Sequence, residues 1–184
     1  MKNVFRTAAL VSFVTLALTL FTAISASNQA EAARNFDPMA AYPAARLAAS
    51  KITSNVTAIS LSATRNAGAS SSTSGCASFT WVWTVVGQDG VFVDVAVSPN
   101  GVKVLNHESR MILADQSLFD PAKVAIKGND VLAIAMQAVQ SSQPTDLYLG
   151  ANLVTSGASE LRWSVGFEHN EMGVDGDNGD VLLN

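Results

Sequence analysis

Apolar residues recur along this chain with two different periods, and the change from one to the other marks out its elements. Val131, Ile134, Ala135, Ala138 and Val139 fall at i, i+3, i+4, i+7 and i+8, which predicts a helix with one buried stripe. Asp130 stands where a helix cap belongs, and Pro144 prevents the pattern from continuing. An earlier stripe of Ala45, Ala48, Ala49, Ile52 and Val56 follows Pro43, a residue suited to an opening helical turn. After each helix the period falls to two. Ile59, Leu61 and Ala63 alternate with Ser60, Ser62 and Thr64, and Val91, Val93, Val95 and Val97 alternate with Phe92, Asp94, Ala96 and Ser98. Both runs predict half-buried antiparallel strands. Phe79 to Val86 is aromatic and β-branched on both faces, as a central strand should be, and alternation puts Trp81 and Trp83 on one face. Phe92 falls in register with Asp94 and is therefore expected to be exposed. Gly87-Gln88-Asp89-Gly90 and Ser98-Pro99-Asn100-Gly101 supply hairpin turns. Further strands are predicted from Leu147 to Thr155, from Leu161 to Phe167 and near Val174, with Asp177-Asn178-Gly179-Asp180 as the closing turn.

The chain also carries an internal echo. Phe36-Asp37-Pro38 returns as Phe119-Asp120-Pro121, Trp83-Thr84-Val85 as Trp163-Ser164-Val165, and Gly101 with Leu105-Asn106 as Gly179 with Leu183-Asn184, at offsets of 83, 80 and 78 residues. Three matches in one order predict two related units, 33–113 and 114–184. The expected fold class is therefore α+β, with two repeated units, each a helix packed on an antiparallel β-meander. A Ser/Gly/Ala stretch from Asn66 to Gly75 interrupts the first unit and reads as a flexible hairpin loop.

Ahead of these units, Lys2 and Arg6 precede an uncharged run through Leu10, Val11, Phe13, Val14, Leu16, Leu18, Leu20 and Phe21. That order is a signal peptide's, and Ala30-Glu31-Ala32 fits the small-x-small cleavage pattern, so residues 1–32 are read as a signal peptide. Its removal reduces 11 basic and 15 acidic residues to nine and fourteen, a net charge of −5. An acidic chain without a Lys/Arg cluster is repelled by phosphate backbones and anionic lipid heads, which argues against nucleic acid as a partner. No membrane span is expected once the signal is cleaved. Cys76 is the single cysteine, so no intramolecular disulfide can form, and it is expected as a small apolar residue beginning a strand.

Candidate chemistry is sparse. His107 and His169 are the only histidines, too few for a zinc site built on histidine spacing, and both are expected on the surface. The Ser70-Ser71-Ser72 run lacks the G-x-S-x-G elbow that presents a nucleophile. Asp175-Gly176-Asp177-Asn178-Gly179-Asp180 lacks the distal Glu of a calcium loop and reads as a turn. The sequence thus assigns no catalytic, cofactor-binding or metal-binding residue, and no cofactor.

The helix core Val131-Leu132-Ala133-Ile134-Ala135, Trp163-Ser164-Val165, and the ending Asp177-Asn178-Gly179-Asp180-Val181-Leu182 together resemble the PepSY domain, and Trp83-Thr84-Val85 with Asn100-Gly101-Val102-Lys103-Val104-Leu105 echo it in the first unit. The resemblance implies a tandem PepSY/cystatin-like fold and an extracytoplasmic, non-enzymatic role, secreted or periplasmic in a bacterial envelope. It further implies a protein partner, since such domains inhibit or modulate proteases. No protease domain follows in this chain, so the partner would act in trans. The alternative is a carrier or sensor of a small apolar ligand, with Trp81, Trp83, Phe79 and Phe92 lining a groove between helix and sheet.

Overall fold

The computed structural model describes residues 36–68, 75–111, 117–139, 143–153 and 159–182. The expected signal segment 1–32, the expected boundary between residues 113 and 114, and most of the Asn66–Gly75 loop lie outside them. Helix α1 (Tyr42–Ala49) opens on Pro43 and leads to strands β1 (Thr57–Arg65), β2 (Phe79–Val86), β3 (Val91–Ser98) and β4 (Gly101–Ser109). Helix α2 (Gly128–Val139) leads to β5 (Asp146–Leu153), β6 (Ser159–Gly166), β7 (Glu171–Asp175) and β8 (Val181–Leu182). Single 3₁₀ turns precede β2 (Gly75–Ser78) and α2 (Pro121–Lys123). Cys76 lies in the first of these rather than at a strand start.

All eight strands join one antiparallel sheet in the order β4-β3-β2-β1-β5-β6-β7-β8. This corrects the expected division into two repeated helix-plus-meander units. Two separate meanders would leave β1 and β5 with unpaired backbone edges, a cost that their pairing from Ser60 opposite Gly150 to Thr64 opposite Asp146 removes. The core is continuous for the same reason. One row of facing residues, Val104, Val95, Trp83, Leu61, Leu149, Trp163, Val174 and Val181, crosses the sheet from β4 to β8. Trp81 meets Trp163 edge-on at 6.3 Å, and Phe36–Asn184 makes up one compact unit.

Burying an indole is favourable only if its N–H finds an acceptor. Each tryptophan has one: Trp83 Nε1 donates to the Pro38 carbonyl at 3.0 Å, Trp163 Nε1 to Ile126 at 3.0 Å, and Trp81 Nε1 to Cys76 at 2.7 Å. The first two bonds fix the segments leading into α1 and α2 against the sheet, and the third fixes the 3₁₀ turn before β2. Lys127 and Asp37, 3.5 Å apart, join those two segments to each other. Among the described residues no helix is long and apolar enough to cross a membrane.

Two local features depart from simple alternation. Between Ala58 and Ser60 the register with β2 shifts, and the bulge carries Ile59 away from Leu61. Ile59 instead forms a small second cluster with Val86 and Phe92. Phe92, expected to be exposed, is 2 % exposed, and the Arg110 guanidinium lies over its ring at 4.2 Å.

Candidate functional site

A β-strand at the end of a sheet leaves one row of backbone N–H and C=O groups without a strand to pair with. Here the two ends differ greatly: β8 has two residues, whereas β4 has nine. Every β4 residue except Val104 is exposed, including Val102 at 40 % and Leu105 at 52 %. The strand is held firmly from its inner side. It pairs with β3 from Ser98 opposite Gly101 to Val91 opposite Ser109, through a hairpin in which Gly101 adopts φ +126°. Between Asp94 and Val95 the register shifts, leaving Leu105 as the extra residue of a bulge.

Beyond Ser109 the edge opens into a shallow cavity of about 560 Å³ lined by Gln88, Asp89, Gly90, Ser109, Arg110 and Met111. Arg110 is anchored there by its N–H to the Gly90 carbonyl at 3.3 Å, by Glu108 at 3.5 Å and by the Phe92 ring. Met111 is 86 % exposed. On the far side of this turn Asp89 accepts a hydrogen bond from the Thr53 hydroxyl, which holds its carboxyl below the usual carboxylate range. Asn55 Nδ2 donates to Gln88 Oε1 at 2.6 Å beside it. The cavity floor is thus tied to the segment after α1. A backbone edge with exposed apolar side chains and one anchored cation can bind an extended peptide; among the described residues it presents no nucleophile with a positioned base.

The sheet face away from the helices carries, apart from the Ile59–Val86–Phe92 cluster, three side chains laid flat where glycines leave room. Tyr148 covers Gly150, Arg162 covers Gly173, and Asp146 covers Gly166. Ser164 donates to Glu171 across the same face.

The sequence-derived candidates are dispersed. His107 lies within β4, while His169 lies in the turn between β6 and β7, with five strands separating β4 from β7 in the sheet order. No group of three or more His, Cys, Asp or Glu suited to a metal occurs among the described residues. Asp175 accepts from the N–H groups of Asp177 and Asn178 at 2.8 and 3.1 Å, as a turn-forming residue does. Trp81 and Trp83 are fully buried and packed, so they line no open groove. The burial that closes the core also pushes the Cys76 thiol up to about 12, with Asp37 and Asp130 adding to the effect. The residue that sequence reasoning missed is Arg110, whose stacking on Phe92 depends on β3–β4 register rather than on any local motif. No family model matches the chain, and comparison with curated proteins and with solved structures returns no match.

Proposed function

We propose that this protein is an exported, non-catalytic binding module that engages another extracytoplasmic protein, a protease or an envelope component, by accepting an extended segment along β4. The observation that carries the reading is the nine-residue edge, with which no strand among the described residues pairs on its outer side, held in register by β3 and bearing exposed Val102 and Leu105. Strand addition draws affinity from main-chain hydrogen bonds and specificity from alternate side chains, and both are on offer here. The signal-like order of residues 1–32 supports export, and the PepSY resemblance of Trp163-Ser164-Val165 supports a modulating role. The apolar-carrier alternative draws less support, because the aromatic residues that would line its groove are all buried, Phe79, Trp81 and Trp83 in the main core and Phe92 in a separate cluster.

Photo-crosslinking in the cell envelope tests the proposal. A crosslinking residue at Leu105 should capture a discrete protein, whereas the same residue at Met136, an exposed position on α2, should not. Equal capture at both positions, or none at Leu105, would count against β4 as the binding edge.

A further inference from the structure

We propose that β4 pairs with β4 of a second copy of this chain, antiparallel about a two-fold axis through the bulge, when no other strand occupies the edge. This goes beyond the identity of any partner, because it concerns what covers β4 in the protein alone. The argument rests on the face each residue presents. Val102, Val104, His107 and Ser109 stand opposite Val97, Val95, Val93 and Val91 and so share their face of the sheet. Lys103 and Glu108 stand opposite Ala96 and Phe92 on the other face. The extra residue at Leu105 is what brings Lys103 and Glu108, five positions apart, to the same face.

A two-fold axis at Leu105-Asn106 then places Lys103 opposite Glu108 of the second copy, Val104 opposite His107 and Val102 opposite Ser109. Faces match throughout, and the Lys–Glu pair occurs twice. Neighbouring registers lack this property. Moving the axis to lie between Asn106 and His107 sets Lys103 against Arg110, two like charges, and moving it to lie between Val104 and Leu105 sets Glu108 against Gly101. A lysine and a bulge ordinarily discourage edge pairing; in this register the lysine is neutralised and each bulge faces the other. Assembly also closes after two copies, since a two-fold contact uses the same edge on both, and among the described residues β8 offers two for any further strand.

Sedimentation equilibrium on the protein produced from the full-length chain, with no partner present, tests this. The native protein should show a concentration-dependent dimer that weakens with added salt. Lys103→Glu and Glu108→Lys should each weaken the dimer roughly tenfold, because both cross-strand pairs turn from attraction to repulsion. The double variant Lys103→Glu/Glu108→Lys should restore it. At a concentration that keeps each monomeric all three should melt close to the native protein, since both side chains are exposed and the Glu108–Arg110 pair lies on the surface. A monomer at every concentration, or a dimer indifferent to the single swaps, would overturn the proposal. Capture at Leu105 supports the partner reading only when the captured protein differs from this chain, so a self-crosslink bears on the dimer and a crosslink to another protein on the proposed function.

Discussion

Gly128 occupies a position where a methyl group has no room. A Cβ there would lie 2.8 Å from Cys76 Sγ and 3.3 Å from the Trp81 ring. Two effects compete at this residue, since alanine is the better helix former by about 1 kcal/mol in a helix interior, while overpacking a core costs about 1–3 kcal/mol. Gly128 sits in the first helical turn, where propensity counts least, and its neighbours are a buried thiol and a fully buried indole. Gly128→Ala is therefore expected to destabilise the protein by about 1–3 kcal/mol in urea unfolding; an unchanged or raised midpoint would show that the α2 start is loosely packed. Nothing in the local sequence marks this glycine. Its partners come from 47 to 52 positions earlier, at Trp81 and Cys76, and so only the fold reveals the contact. Phe92 teaches the same lesson from the other direction: alternation correctly gave its face, and the bulge at Ile59 together with Arg110 then buried it.

Helices and strands were legible where the period persisted, and boundaries were not. The stripe Ala45, Ala48, Ala49, Ile52 and Val56 predicts a longer helix than α1, which stops at Ala49. Ser50 Oγ donates to the Leu47 carbonyl and Thr53 turns to Asp89, so hydroxyls compete for the backbone where the helix would have continued. In α2 the buried residues are Gly128, Val131, Leu132 and Ala135, while Ala138 is exposed, a stripe rotated toward Leu132 by the sheet beneath. The Thr53–Asp89 bond joins the end of one element to the turn of another, and it titrates. Because the Asp89 carboxyl is held low in the folded protein, the unfolded chain binds the extra proton as the pH falls below about 4. The stabilisation is thus present at neutral pH and is lost as the pH drops through the lowered folded value. Thr53→Val should flatten the acid limb of stability measured between pH 6 and pH 2; an unchanged limb would detach the Asp89 shift from this bond.

Across the whole molecule, the internal echo of Phe-Asp-Pro and Trp-x-Val was visible in sequence, but the joining of β1 to β5 was not. Ser60-Leu61-Ser62-Ala63-Thr64 reads equally well as an edge or a centre strand, since pairing between residues about 90 positions apart leaves no local mark. That pairing turns the expected pair of units into one sheet and moves the free edges outward to β8 and β4. The site follows from the topology: a short edge at one end, a long one at the other. Residue-resolved amide hydrogen exchange, at a concentration low enough to keep β4 unpaired, tests this account most directly. The account predicts that the central amides of β1, β2 and β5 share the slowest exchange, as one cooperative group, while β4 exchanges orders of magnitude faster. Separate opening of residues 36–111 and 117–182, or a β4 as protected as β2, would contradict it.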